Sequence, residues 1–147
     1  MRFRRKAKKI GDGSNQKVKN ATPTTLDGIA FKSKLEAHVY SVFKEAGIVL
    51  NYEAMKFDII PAFEYKGVKF RKATITPDFT TPDGRIIIEA KGFPNEVFPL
   101  RWKIFNHTLS LQKNQPHVYL VHNKQETLDA LTHVLLILND ENLNKRT

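Results

Sequence analysis

The run Thr76-Pro77-Asp78-Phe79, the pair Asp83-Gly84 and the segment Ile86-Ile87-Ile88-Glu89-Ala90-Lys91-Gly92 together tie two carboxylates and a lysine to one β-hairpin. Asp-Gly is a favoured two-residue hairpin loop because both residues tolerate positive φ. With those residues as the loop, Pro82 pairs with Arg85, Phe79 with Ile88, and Asp78 lies opposite Glu89. Directly opposed Cβ atoms on one sheet face are roughly 4.5–5.5 Å apart. The two-residue strand period puts Lys91 on the face of Glu89, and Ile86, Ile88 and Ala90 on the other, towards a core. A bulge at Pro82 would shift this register by one residue.

Two facing anions repel, which raises a pKa or demands a cation between them. Hard oxygen ligands at this separation suit Mg²⁺, which binds through one or two carboxylates plus phosphate and water. The expectation is a Mg²⁺ site, open to Mn²⁺, with an ammonium beside it. That is the order and spacing of a metal-dependent phosphodiester cleavage site. A Glu-x-Lys on a strand is often only a solvated face, and Glu64-Tyr65-Lys66, running straight into Gly67, is such a decoy. Pro77-Asp78 upstream, the isoleucine run and the trailing Gly92 favour the site at Glu89.

A net charge of +9 over 147 residues favours a polyanionic partner, although a merely soluble basic protein has the same balance. With no cysteine, disulfides, zinc-thiolate sites and thiol nucleophiles are excluded. The N-terminus Met1-Arg2-Phe3-Arg4-Arg5 has no apolar run behind it, so no signal peptide is expected. No aliphatic run approaches bilayer length, so neither is a membrane partner. A soluble protein of a reducing, nucleic-acid-containing compartment fits: the cytoplasm, or the host cytoplasm if phage-encoded.

Residues 1–28 read as a basic flexible arm and residues 29–147 as one domain. In the arm Arg2, Arg4, Arg5, Lys6, Lys8 and Lys9 lie among Gly, Ser and Asn, and too little is apolar to offset the ordering entropy. It is either an arm that settles along phosphates or an inert solubilising tail. Residues 31–47 read as an amphipathic helix capped by Ser33 with Glu36 three residues on, and Gly47 ends it. Strands are expected over 48–61, 68–80 and 85–91, a helix over 98–112, a strand over 117–122 and a closing helix over 127–138. The order α-β-β-β-α-β-α implies a mixed α/β (α+β) sheet flanked by helices.

Glu36 is either half of a capping box or a further carboxylate directed at Asp78. Lys69, Arg71 and Lys72 before the hairpin, and Arg101 and Lys103 beside Trp102, either contact phosphate or keep a face solvated. Such contacts carry affinity and salt dependence without sequence preference. The five histidines show no ligand spacing and read as structural or surface.

Taken together, Phe31-Lys32-Ser33-x-Leu35-Glu36, Tyr52-Glu53, Thr76-Pro77-Asp78-Phe79, Pro82-x-Gly84 and Glu89-x-Lys91-Gly92 resemble the PD-(D/E)xK nuclease superfamily. More narrowly they resemble the phage endonuclease I family of Holliday-junction resolvases. The resemblance implies a restriction-endonuclease-like core and Mg²⁺-dependent cleavage of branched DNA by a homodimer. It implies Asp78, Glu89, the Ala90 carbonyl and Glu36 as metal ligands. Lys91 would hold or activate the attacking water, and Lys32 would lie among the DNA-contacting cations. The Asp-to-Glu interval is one residue longer than the family pattern, and the helix from Thr127 has no counterpart in it. A nicking or end-processing nuclease, or a non-catalytic nucleic-acid-binding module, remains as the alternative.

Overall fold

The hairpin residues belong to a mixed α+β fold, seen in a computed structural model that describes residues 22–144. The first elements, β1 (Thr24–Leu26) and β2 (Ile29–Phe31), pair antiparallel across Asp27-Gly28, with φ 52° and 77°. Both central residues are left-handed, as a primed hairpin turn requires. The expected arm of residues 1–28 is therefore too long: its last residues, an extended Thr-Thr-Leu before an Asp-Gly turn, build a hairpin. The cations Arg2, Arg4, Arg5, Lys6, Lys8 and Lys9 lie outside the described residues.

Helix α1 (Lys34–Glu45) starts where the sequence signals it, with Ser33 accepting a hydrogen bond from the Glu36 amide, and it buries Ala37, Val39 and Phe43. The strand expected over 48–61 is two strands, β3 (Asn51–Tyr52) and β4 (Phe57–Ile60), broken at Glu53, whose φ of 45° turns the chain out of the sheet. The strand expected over 68–80 is likewise divided. A hairpin of β5 (Phe63–Tyr65) and β6 (Val68–Phe70) precedes β7 (Ala73–Ile75), which pairs with β4. Only after Pro77, which has no N–H for a ladder, does β8 (Phe79–Thr80) begin. Then follow β9 (Ile86–Ala90), α2 (Phe98–Ser110), β10 (His117–Val121) and α3 (Lys124–Asn144).

The main sheet has the order β10-β9-β8-β3. β9 runs antiparallel to β8 and parallel to β10, a crossover made by α2. Counting only this sheet and the helices, the chain order is α1-β3-β8-β9-α2-β10-α3. The remaining strands are the β1–β2 hairpin and the β4–β7 excursion.

Strand β9 is buried on both sides. Ile86 and Ile88 join Phe31, Val39, Phe43, Phe79, Val121 and Val134 in a core against α1 and α3. Ile87 points the other way, into a second core with Ile59, Ile75, Phe105 and Leu109 beneath α2. Full burial of such a side chain stabilises the fold by about 1.5–3 kcal/mol. Glu89 follows Ile87 onto the α2 side by strand alternation, so the acidic site stands at the end of a packed, double-faced strand. Among the described residues no helix is long and apolar enough to cross a membrane.

Candidate active site

The loop that brings the two acids together differs in build from the expected two-residue turn. Gly84 is left-handed at φ 71° but Asp83 is not. Instead the Thr81 carbonyl accepts from the Gly84 amide (2.9 Å), and the Thr81 amide donates to the Ile86 carbonyl (3.0 Å). Proline at the second position of such a turn needs no change of φ. Asp83 fastens the loop, accepting from the Thr81 hydroxyl (2.6 Å) and the Arg85 amide (3.1 Å). The Thr81 hydroxyl and the Arg85 side chain hold its carboxyl down at about 2. A four-residue loop thus replaces a two-residue one, and the ladder is unchanged: Phe79 pairs with Ile88 and Thr80 with Ile87.

In that register Asp78 and Glu89 each accept an amide of the other's strand. The Asp78 amide donates to Glu89 Oε2 (3.2 Å), and the Ala90 amide donates to Asp78 Oδ2 (2.8 Å). Both carboxylates are buried. Burial raises both pKa values, helped at Asp78 by the charges of Glu89 and Glu36 and at Glu89 by that of Glu36; Lys91 opposes the rise at each. Asp78 Oδ1 and Glu89 Oε1 accept no hydrogen bond among the described residues. Lys91 is half-buried, and its Nζ rests 4.9 Å from the Phe98 ring centroid at the start of α2. The ammonium is beside the acids and forms no ion pair with them among the described residues.

Glu36, expected among the ligands, is anchored by neighbouring donors. Its Oε2 accepts from the Lys32 amide (2.9 Å) and the Tyr52 hydroxyl (2.6 Å), and its Oε1 from the Ser33 hydroxyl (2.8 Å). With three donors on its two oxygens, it serves as the helix cap and as a buried charge near Asp78. Among the described residues no three His, Cys, Asp or Glu side chains are grouped to hold a metal ion. Burial, then the Glu36 bond and charge, push the Tyr52 hydroxyl far up. Tyr52→Phe deprives a buried carboxylate of one donor. It should cost about 1–3 kcal/mol, read as a lower urea midpoint at unchanged m-value.

Glu53 was given no role from sequence, yet it extends the acidic row. Its amide donates to the Asp78 carbonyl (2.8 Å), so Glu53 at the end of β3 and Asp78 just before β8 lie next to Glu89 of β9. Its carboxylate pairs with the Lys32 ammonium. The pairing raises the Lys32 pKa, with further help from the charges of Asp78 and Glu36. A left-handed non-glycine residue is strained, and strain of this kind gathers at functional sites. Tyr52-Glu53 was visible as a motif, but nothing in the sequence sets the register of β3 against β8.

The expected phosphate-contacting cations divide into groups. Lys32 lies against the acidic row. Lys69, Arg71 and Lys72 are on or beside the β5–β6 excursion, where Lys72 pairs with Asp58 (3.1 Å). Arg101 and Lys103 are exposed on α2, with Arg101 tied to the Thr74 carbonyl.

Residues 16–122 match the model of a family described as a protein of unknown function (DUF1064), and the chain belongs to that family. No curated protein and no solved structure matches it.

Proposed function

We propose that this DUF1064 protein is a Mg²⁺-dependent endodeoxyribonuclease that cuts branched DNA, acting as a Holliday-junction resolvase. The observation that carries the reading is the Asp78–Glu89 clasp. Two buried acids are held by each other's strand, and each keeps one oxygen without a partner among the described residues. Two adjacent buried anions lacking a full complement of donors are costly unless a cation joins them. The donor set fits Mg²⁺: Asp78 Oδ1, Glu89 Oε1 and the Ala90 carbonyl would hold it, leaving positions for water and a substrate phosphate. Bound there, the ion would polarise the phosphoryl group and acidify water.

The chain's own groups supply the rest. Lys91 positions a water in line and offsets charge that builds on the phosphoryl oxygens in the transition state. Glu36, fixed by Ser33, Lys32 and Tyr52, keeps the local potential negative and so favours cation capture over a free lysine ion pair. The excess of basic residues outside the site draws in the polyanion. Symmetrical cutting of two strands calls for two copies of the chain about a two-fold axis.

A panel of four-way junction, flap, duplex and single strand, run with Mg²⁺ and again with chelator, tests the reading. Mg²⁺-dependent nicking that favours the junction is expected. Equal cutting of all substrates would leave a nuclease without junction preference. Salt-sensitive binding with no Mg²⁺- or Mn²⁺-dependent cleavage of any substrate would leave a binding module instead.

A further inference from the structure

The β5–β6 hairpin has one face made wholly of large apolar side chains, and among the described residues nothing packs over it. Phe63 pairs with Phe70 and Tyr65 with Val68 across the two strands, so the period of two sets all four on one side. They are 49%, 44%, 62% and 56% exposed, respectively. The two phenylalanine rings stack on each other, 4.7 Å apart and 8° from parallel. The turn is Lys66-Gly67, left-handed at both residues, and the Lys66 ammonium lies over the Tyr65 ring (5.6 Å). An isolated two-stranded ribbon is marginal in water, and an uncovered aromatic face on one is a binding surface rather than a source of stability.

Charge selects the occupant. Residues 61–72 carry Lys66, Lys69, Arg71 and Lys72 against the single acid Glu64. Among the described residues Lys66, Lys69 and Arg71 enter no ion pair with an acid. Lys66 stands over the ring face at the tip, while Lys69, opposite Glu64, is on the reverse face of the ribbon. Stacking rings beside a cation match unpaired nucleobases flanked by phosphates, since every base offers a π-face and stacking tolerates any sequence. The hairpin is also rooted at the chemistry. It grows from the β4–β7 ladder, whose Ile59 and Ile75 are anchored under α2 by Phe105 and Leu109, and β7 ends three residues before Asp78. From Ile75 to the tip at Lys66 the chain can reach at most roughly 30 Å, about one turn of duplex DNA.

We infer that the β5–β6 hairpin is a base-stacking arm that docks on unpaired bases at the branch point and so selects branched DNA over continuous duplex. This rests on the nuclease reading above. The test uses full-length protein carrying Asp78→Asn, in Ca²⁺, with a four-way junction bearing 2-aminopurine at the branch and a linear duplex of the same arms. Tyr65→Ser, and separately Phe70→Ser, should weaken junction binding about tenfold or more and abolish the change in 2-aminopurine fluorescence. Duplex affinity should stay within about twofold. Lys66→Ser with Lys69→Ser should weaken both DNAs and shallow the salt dependence.

Unchanged junction affinity and fluorescence in both aromatic variants would overturn the inference while leaving the nuclease reading intact. So would a variant that turns a self-associated protein into a monomer at unchanged DNA affinity, because the face would then seat a second copy of the chain. If the protein without hairpin substitutions binds no DNA at all, the nuclease reading falls and the arm with it.

Discussion

Asp78→Asn is expected to lower Mg²⁺-dependent cleavage by about 10³-fold or more and, in chelator, to make the protein more stable. The first effect follows from removing one of two anionic oxygen ligands and is of the size seen when a charge-stabilising group is deleted from an active site. The second follows from burial. Asn keeps an oxygen able to accept the Ala90 amide, so the clasp survives, while the repulsion with Glu89 and Glu36 is gone. Neutralising a buried, poorly compensated charge should gain about 2 kcal/mol and several degrees in Tm. Junction binding in Ca²⁺ or EDTA should persist. Lys91→Ala separates the two effects: it should also abolish cleavage, yet it removes the cation that opposes proton uptake at both acids, so no stabilisation is expected. Full activity in purified Asp78→Asn protein would refute the catalytic assignment. Lost cleavage together with a lower Tm would reassign Asp78 to holding the hairpin.

How much of this could be read from the chain depends on where the information lies. The Asp78–Glu89 register was legible because a short loop and an apolar run pin it locally: Ile86 and Ile88 must face one core, and slipping by one residue would expose them. It survived even though the loop itself was misjudged, Pro82 and Asp83 forming a turn with right-handed φ before Gly84. The cap of α1 was legible for the same local reason. The breaks at Glu53 and Arg71-Lys72 were not, since Phe, Ile, Val and Tyr flank them on both sides and only tertiary pairing of β4 with β7 interrupts the strands. The start of α3 was set three residues late. Its signal was present in Asn123, which donates from its side chain to Glu126 Oε1 (2.9 Å) and accepts at Oδ1 from the Glu126 amide (3.0 Å), but polar residues there masked the helical period. For Glu36 the residues alone left cap and ligand open, and only the resemblance named it a ligand. Its carboxylate reaches three donors from three different residues, and one of them, Tyr52, is brought close only by the fold.

The same buried pair sets a pH dependence whose direction is opposite to ordinary acid denaturation. Burial and the neighbouring acids push Asp78 from 3.8 up to about 8 and Glu89 from 4.5 up to about 7. Between the unfolded and folded values the native protein retains protons that the unfolded chain has released. Stability in chelator should therefore be greatest below the unfolded values and fall as pH rises through 7 and 8. His38 works the other way, because burial lowers its pKa below 6.5 and stability associated with it rises with pH. The loss from the two acids accrues from the unfolded values up to the folded ones and levels off above them, so thermal melts from about pH 5 to 8.5 span it. Mg²⁺ binds the deprotonated native pair, so it should restore stability most at the alkaline end, by about 3 kcal/mol at a hundredfold excess over Kd, and release protons as it binds. Asp78→Asn should reduce both the slope and the Mg²⁺ response. A Tm that stays level across this range in chelator, and that Mg²⁺ does not move, would mean the two acids are not the buried, repelling pair on which ion capture depends.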